Sequence, residues 1–305
     1  MTVGAPVPLT GRYAVQGAQV RAGLEGWARH AGTRLLVLDD RSDPARSAAI
    51  HAELAERGCR FVLGPYGSDS VRAVARARLG AVIWNHGAAA DDVQRLPGVV
   101  SVPSPASRYL VALGRAVAEL RPGARVAVLT AAGRFARFAR SGFEREASAL
   151  GVEIVAGPDE ADAVLLCGPL EWEAEWLHRL HTGRRALLIG GVSPGLASFA
   201  EIVRPSDGVL APVQWHPSVP VEPELGPRSV ELEDYVGAQA YAVCLIADRC
   251  LADEPDDPAA AGRRLRTTTF FGSFALGPDG LQVGHSLSVI RWHRGRRELL
   301  LATAA

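Results

Sequence analysis

Short apolar runs alternate with helical segments along most of this chain, and that alternation restricts the fold more than any other feature. The runs that read as strands are residues 2–8, 34–39, 60–64, 81–85, 125–130, 152–156, 163–168 and 186–191. Continuous apolar runs of this length are typical of strands that are buried on both faces of a parallel sheet. Strands that alternate with helices predict an α/β fold in which helices cover such a sheet.

The alternation occurs twice, first over residues 2–103 and again from residue 104 to about residue 212. The segments that follow are a proline-rich passage at 212–227, helices at 229–251 and 258–266, and β-like runs at 286–293 and 298–302. A chain of 305 residues is long enough to bury the cores of two domains. We therefore expect two α/β domains rather than one.

Composition excludes several classes of function. The 33 basic residues, all of them arginine, balance 33 acidic residues, so nucleic acid is not an expected partner. The four cysteines form no CxxC pair, and no His/Cys cluster has zinc spacing. His178 and His181 lie three residues apart on a predicted helix without a third ligand. We therefore expect buried free thiols, no metal site and no cofactor.

The beginning of the chain leaves its location open. No apolar run reaches the roughly 18 residues that a membrane span needs, and residues 2–7 do not form a signal peptide. The protein is expected to be cytoplasmic if Met1 is the true start. It is expected to be extracytoplasmic if a leader was removed before this point.

Several motifs that carry catalysis are missing from the sequence. The phosphate loop GxxxxGK[ST], the metalloprotease motif HExxH and the dinucleotide motif GxGxxG do not occur. The paired Asp39 and Asp40 are better interpreted as turn and cap residues, because Ser42, Asp43 and Pro44 follow them. We therefore expect no catalytic residue, and an unrelated α/β enzyme is the least favoured interpretation.

The loops that follow the predicted strands are rich in glycine and other small residues. In parallel sheets ligands bind at the carboxyl ends of strands, where small residues let backbone N–H groups approach a carboxylate or amide. Ser68 stands where a helix begins, and it either receives an anionic group or is a simple N-cap. Asn85 and His86 either contact the ligand, or Asn85 ends a strand and His86 faces solvent. Tyr66 and Phe135 are candidates for aromatic walls.

Four segments together resemble one known family. They are the strand, glycine loop and helix at 8–25, the turn at 39–44, the strand and loop at 61–68, and a Gly277–Gly280 turn before Trp292–His293. These are similar to the type I periplasmic binding proteins, which bind branched-chain amino acids and amides. The resemblance implies two doubly wound parallel-sheet lobes joined by a hinge with three chain crossovers. It places lobe one at 1–103 and 214–270, and lobe two at 104–213 and 271–305.

The resemblance also implies roles for particular residues. Ser68 falls on the serine that binds the ligand carboxylate, Gly87 on the carbonyl that meets the ligand ammonium, and Phe135 on the ring that covers the ligand. Ala89 and Val192 stand where the amino acid pocket has a hydroxyl and an acid, so the groups that hold an α-ammonium are missing. The other residues expected at the site are Gln16, Tyr66, Asn85, Ala88, Leu170 and Glu171.

The function implied is that of a solute-binding protein of an ABC-type importer. Its two lobes would close on a small polar ligand, either amino acid-like, an amide or a carboxylate, and an ABC permease would be the partner. The alternative on the same fold is a cytoplasmic amide or amino acid sensor that regulates a partner protein.

Overall fold

A computed structural model describes residues 2–182, 187–203 and 207–302 of the chain. Residue 186, the expected start of one strand, lies outside the described residues, as do Met1 and residues 303–305. None of the helices that the structure describes has the length and apolar character required to cross a membrane.

The strands agree with the predicted alternation and add several short ones. They are β1 (Thr2–Val7), β2 (Arg34–Asp39), β3 (Ile83–Asn85), β4 (Val99–Ser101), β5 (Arg125–Thr130), β6 (Glu153–Val155), β7 (Ala163–Cys167), β8 (Leu188–Gly191), β9 (Leu210–Val213), β10 (Arg266–Thr269), β11 (Gly272–Ala275), β12 (Ser288–His293) and β13 (Arg296–Leu301).

The helices fill the connections between these strands. They are α1 (Ala14–Ala31), α2 (Pro44–Glu56), α3 (Ser68–Arg76), α4 (Asp91–Gln94), α5 (Tyr109–Leu120), α6 (Arg134–Glu146), α7 (Leu170–His181), α8 (Phe199–Ile202), α9 (Tyr235–Asp253) and α10 (Pro258–Arg264). The caps foreseen for α2 are present, because the Asp43 side chain accepts the N–H of Arg46 and Pro44 opens the helix.

The chain forms two compact units and passes between them three times. Unit 1 contains residues 2–105 and 219–286, and unit 2 contains residues 106–218 and 287–302 among those described. The expected division differs at residues 104–105 and 271–286, which lie in unit 1, and at residues 214–218, which lie in unit 2. The largest of these segments contains β11, which pairs with β10 as an antiparallel hairpin.

Unit 1 contains parallel strands that are linked by a very short one. β1 pairs with β2, and β3 pairs with β4, both in parallel. The run predicted at 60–64 is reduced to two bridges, Gly4 with Val62 and Leu63 with Trp84, which connect the two pairs. On one side α1 packs closely on α9, since a Cβ at Gly23 would lie 2.0 Å from the carbonyl oxygen of Gly237.

Unit 2 contains one seven-stranded sheet in the order β13-β12-β9-β8-β7-β5-β6. Its strands from β6 to β9 run parallel, while β12 is antiparallel to both β9 and β13. The connection from β6 to β7 is unusual, because residues 156–162 hold only a 3₁₀ turn at Pro158–Glu160. β5 lies between β6 and β7 and pairs with both. Parallel strands of one sheet are normally joined by a crossover of a dozen or more residues, usually a helix. The α/β fold predicted from the alternation is confirmed in both units.

Candidate functional site

Helix α3 begins in unit 1 without a side-chain cap. Gly67 precedes the helix with a φ of 99°, and no side chain bonds the N–H groups of the first turn. The Gly67 N–H donates to the carbonyl of Gly87 at 3.1 Å, which fixes this loop to the loop after β3. Unpaired N–H groups at a helix start carry a partial positive charge and attract anions. These two loops, residues 64–68 and 85–90, are called the unit 1 loops below.

Ser68 is the first residue of α3 and not its cap. The Ser68 hydroxyl oxygen accepts the N–H of Ala90 at 3.3 Å, which ties the helix start to the second of the unit 1 loops. Its hydroxyl proton has no acceptor among the residues that the structure describes, so it can be donated to an anion. The alternative that Ser68 is an N-cap is wrong, since the cap position is occupied by Gly67.

Asn85 is fully buried, and its side chain forms hydrogen bonds with the loop that follows it. Its Oδ1 accepts the N–H groups of Gly87 at 3.2 Å and Ala88 at 2.8 Å. Its Nδ2 donates to the Ala88 carbonyl and to the Ser101 Oγ, each at 2.8 Å. A side-chain amide has two donors and an oxygen with two lone pairs, so no group is left for a ligand. The expectation that Asn85 binds ligand is therefore corrected: Asn85 shapes the loop that presents Gly87 and Ala89.

His86 follows Asn85 and is completely buried, so the alternative in which it faces solvent is wrong. Neither ring nitrogen makes a hydrogen bond of good geometry. Burial lowers the pKa of His86 to about 4, which the backbone of Gly64 only partly opposes. His86 is therefore a neutral ring behind the unit 1 loops, and its centroid lies 6.5 Å from that of Tyr66.

An aromatic pair flanks the start of α3. The rings of Tyr13 and Tyr66 meet edge to face with centroids 5.4 Å apart. A Cβ at Gly87 would lie 2.5 Å from the Tyr66 ring, and a Cβ at Gly67 would lie 3.4 Å from the Tyr13 ring. Gly87 is therefore needed for the Tyr66 ring to approach the backbone, whereas Gly67 is needed for its φ of 99°. Gln16, also expected at the site, is half-buried in the first turn of α1.

Unit 2 presents a second aromatic pair. Phe135 lies in the first turn of α6, which Gly133 precedes without a side-chain cap. Its ring packs edge to face on Tyr109 with centroids 5.1 Å apart. The Tyr109 hydroxyl accepts a hydrogen bond from the Gln214 side chain at 2.6 Å, and burial raises the pKa of Tyr109 to about 12. The hydrogen bond from Gln214 therefore fixes the Tyr109 ring against which Phe135 packs.

The remaining residues expected in unit 2 lie around the start of α7. Leu170 and Val192 are half-buried, whereas Glu171 is exposed. The acid that is directed into the unit is Glu173, which is fully buried. Its Oε1 accepts the N–H of Gly168 at 2.8 Å, and its Oε2 accepts the N–H of Ser193 at 2.9 Å. Burial raises the pKa of Glu173 to about 8, against these hydrogen bonds.

Sequence reasoning missed Glu173, although a signal was present. The buried residues of α7 are Glu173 and Leu177, which are four apart and therefore lie on one face. Glu171 belongs to the opposite, exposed face. The apolar Leu177 marks the buried face of α7, and the acid on that face, four residues before it, is Glu173 rather than Glu171.

A groove of about 530 Å³ lies at the β6 edge of the unit 2 sheet. Its lining residues are Val128, Leu129, Thr130, Arg140, Ile154, Val155, Ala156, Trp172 and Trp176. The two indole rings lie 6.0 Å apart. The groove is found where the short connection from β6 to β7 provides no covering helix.

The metal-binding residue types do not come together in the part of the chain that the structure describes. No group of three or more His, Cys, Asp or Glu side chains there is arranged to hold a metal ion. All four cysteines are free, and three are buried while Cys59 is half-buried.

Comparison with known proteins identifies the family. The sequence profile of the family described as periplasmic binding protein matches residues 1–177, more than half of the chain. No curated protein matches the sequence.

Solved structures share the fold at low sequence identity. The branched-chain amino acid transporter substrate-binding protein LivJ of Streptococcus pneumoniae, in complex with isoleucine, has a TM-score of 0.78 at 14% identity and covers 99% of both chains. The leucine-binding protein LivK of Thermotoga maritima has a TM-score of 0.81 at 16% identity and covers 98% of this chain and 97% of its own. A solute-binding protein of an ABC transporter from R. palustris, in complex with 4-hydroxybenzoate, has a TM-score of 0.79 at 17% identity and covers 99% and 96%. The chain belongs to the periplasmic binding protein family, and its fold is that of the type I members.

Proposed function

We propose that this chain is a solute-binding protein of an ABC-type importer and that its ligand is a small aromatic carboxylate. The family consists of solute-binding proteins that do not act as enzymes. The observation that carries the ligand class is the uncapped start of α3 beside the Tyr13–Tyr66 pair. The partner would be the membrane permease of the importer.

The carboxylate would be bound by the unit 1 loops. The free N–H groups at the start of α3 and the Ser68 hydroxyl are donors without a partner among the described residues. Hydrogen bonds to a charged group contribute about 1.5–3 kcal/mol each. Gly67 leaves room for the anion to approach the backbone.

The aromatic body of the ligand would contact the Tyr13–Tyr66 pair of unit 1. Tyr13 with Tyr66, and Phe135 with Tyr109, provide ring edges and faces near the candidate loops of their own units. Aromatic rings favour offset or edge-to-face partners and add about 0.5–1.5 kcal/mol beyond the area that they bury. A flat ring fits these surfaces better than a branched aliphatic chain.

The missing ammonium partners argue against an α-amino acid. Ala89 and Val192 stand where the family resemblance expects a hydroxyl and an acid, and the exposed Glu171 does not replace them. A buried ammonium without a partner costs several kcal/mol. The R. palustris relative in complex with 4-hydroxybenzoate makes a ligand without an ammonium compatible with this fold.

Isothermal titration with 4-hydroxybenzoate, benzoate and L-isoleucine tests this proposal. We expect the benzoates to bind and isoleucine to bind at least tenfold more weakly. Ser68→Ala should weaken benzoate binding about 10- to 100-fold through loss of a charged hydrogen bond, while the exposed control Ser148→Ala leaves it unchanged. Tighter binding of isoleucine would contradict the ligand class.

Restoring the ammonium partners gives a converse test. Ala89→Thr combined with Val192→Glu should give measurable isoleucine binding and weaken binding of 4-hydroxybenzoate, because the new carboxylate repels the ligand. No gain for isoleucine would mean that these two positions do not set the ligand class.

The other two interpretations predict different outcomes. An enzyme would convert the bound compound, so the ligand should be recovered unchanged by mass spectrometry after incubation. The sensor alternative, in which a regulatory protein replaces the permease, receives no support from the comparisons.

A further inference from the structure

Glu173 connects the two loops of unit 2 that carry expected ligand-covering residues. One loop, residues 168–171, follows β7 and contains Leu170. The other, residues 192–193, follows β8 and contains Val192. The Glu173 carboxylate accepts an N–H from each loop, from Gly168 at 2.8 Å and from Ser193 at 2.9 Å.

Three features of the surroundings stabilise the Glu173 carboxylate in this position: a glycine, a bond between the two loops and the start of α7. A Cβ at Gly191 would lie 2.6 Å from Glu173 Oε2, so only glycine leaves room for the oxygen there. The Ser193 hydroxyl donates to the Gly168 carbonyl at 3.2 Å, which adds a direct bond between the loops. Glu173 also lies in the first turns of α7, where the helix dipole favours a negative charge.

Among the residues that the structure describes, no positive charge accompanies Glu173. On β7 the titratable neighbour is Cys167, whose thiol pKa is raised by burial and by Glu173 itself, so it stays neutral. The neighbours on β8 and the following 3₁₀ turn, Gly191 and Ser193, carry no charge. The charged residues next along α7, Glu171 and Glu175, are exposed. The carboxylate is therefore held by backbone N–H groups and not by an ion pair.

We propose that Glu173 is the positioning residue of unit 2, and that its carboxylate sets the separation of the two loops that contact the ligand. This inference rests on the proposed function for its effect on binding, but not for the connection between the loops. The ionised carboxylate offers a charged acceptor oxygen to each N–H group, whereas protonation makes one oxygen a donor and a weaker acceptor. The separation of the loops then depends on the ionisation of Glu173.

This dependence predicts a pH profile. The pKa of Glu173 is raised to about 8 by burial, so the connection strengthens as the pH rises through this value. Affinity for 4-hydroxybenzoate, whose carboxylate is ionised throughout, should increase between pH 7 and pH 9. Glu173→Gln should lose this increase, because the amide keeps one acceptor and turns a donor towards the other N–H.

The experiment uses the full chain and two readouts. In the first, amide NMR shifts of Gly168 and Ser193 are followed against pH in the wild type, Glu173→Gln and the control Glu175→Gln, which changes an exposed acid of the same helix. We expect both amides to titrate with one common midpoint in the wild type and the control, and neither to titrate in Glu173→Gln. Independent midpoints, or a titration that persists in Glu173→Gln, would overturn the connection.

The second readout is the affinity for 4-hydroxybenzoate across the same pH range. Glu173→Gln should bind about tenfold more weakly than the wild type at pH 9, while Glu175→Gln, which changes an exposed acid of the same helix, follows the wild type. A common amide titration with unchanged affinity in Glu173→Gln would overturn the positioning role. Absence of binding by the wild type would count against the proposed ligand, and the connection is then judged by the amide titration, which needs no ligand.

Discussion

Glu173 is a buried acid whose carboxylate is stabilised by hydrogen bonds from backbone N–H groups and from the Ser193 side chain. Its folded pKa of about 8 lies above the ordinary value of 4.5. Between these values the folded state binds more protons than the unfolded state, so the unfolding free energy falls as the pH rises from about 4.5 to 8. The contribution is fully present at low pH and lost through the folded pKa.

The Glu173→Gln variant should lack this loss of stability. Its unfolding free energy should fall less than that of the wild type between pH 5 and pH 8.5, because the amide does not ionise. Urea unfolding at several pH values measures the difference, and Glu171→Gln, which changes an exposed acid of the same helix, should parallel the wild type. If the unfolding free energies of the wild type and Glu173→Gln change with pH in parallel, burial does not raise the pKa of Glu173.

Single residues were predicted unevenly from sequence. Ser68 lies at the start of a helix, as the spacing indicated, because a glycine loop before an apolar stripe is a local signal. Asn85 was assigned to the ligand, yet its partners Ala88 and Ser101 come from its own loop and a neighbouring strand. Whether Asn85 bonds a ligand or the groups of its own loop depends on tertiary packing, which no sequence pattern shows.

At the scale of elements, the Asn85 side chain organises the whole loop after β3. Four hydrogen bonds from this one side chain fix Gly87 and Ala88 and join the loop to β4 through Ser101. A buried polar group that loses its partner costs about 1–3 kcal/mol. The geometry of this loop therefore depends on a single amide.

Replacement of that amide should be severe. Asn85→Ala is expected to lower the unfolding free energy by about 3 kcal/mol or more, because it leaves two N–H groups, a carbonyl and a hydroxyl without a partner. Ser101→Ala removes one of the four bonds and should cost about 1 kcal/mol. Chemical denaturation measures the loss of unfolding free energy in each of the two variants. Equal losses in Asn85→Ala and Ser101→Ala would mean that Asn85 does not organise the loop.

Elements with strong patterns were predicted well and short ones were not. The apolar strands β1, β5 and β7 appear as predicted, because burial on both faces leaves a continuous apolar run. β2 also appears as predicted, although its residues are only half-buried or exposed. The hairpin of β10 and β11 was missed, since its threonine-rich first strand carries no alternation. The predicted run at 60–64 forms only two bridges.

At the scale of the whole molecule, the two units contain groups with opposite responses to pH. Unit 1 holds His51 and His86, both buried without good hydrogen bonds and both with a pKa lowered to about 4. Below the ordinary value of 6.5 the unfolded chain takes up these protons first. Their contribution to stability is therefore complete above pH 6.5 and lost as the pH falls towards 4.

Acidification should therefore destabilise unit 1 through these histidines. His51→Leu with His86→Leu is expected to reduce the loss of unfolding free energy between pH 7 and pH 5, since leucine takes up no proton. The matched control is His30→Leu, which replaces an exposed histidine of α1. Denaturation at both pH values measures the change, and an unaltered acid sensitivity in the double variant would assign it to other groups.

Closing of the two lobes on a ligand stays a prediction. It implies that the radius of gyration falls when a saturating ligand is added. Small-angle X-ray scattering with and without 4-hydroxybenzoate measures this, and superimposable profiles with a ligand that binds by calorimetry would contradict closure.

The threefold passage of the chain between units governs how the protein can be synthesised. Unit 1 needs α9, from residues 235–253, to cover α1 near the beginning of the chain. Unit 2 needs β12 beside β9, and β12 lies within the last 20 or so residues. As the chain leaves the ribosome from its N-terminus, domains that are continuous in sequence finish one after another, but here neither can. A chain that terminates before about residue 286 therefore leaves two open cores, instead of one finished unit and one missing unit.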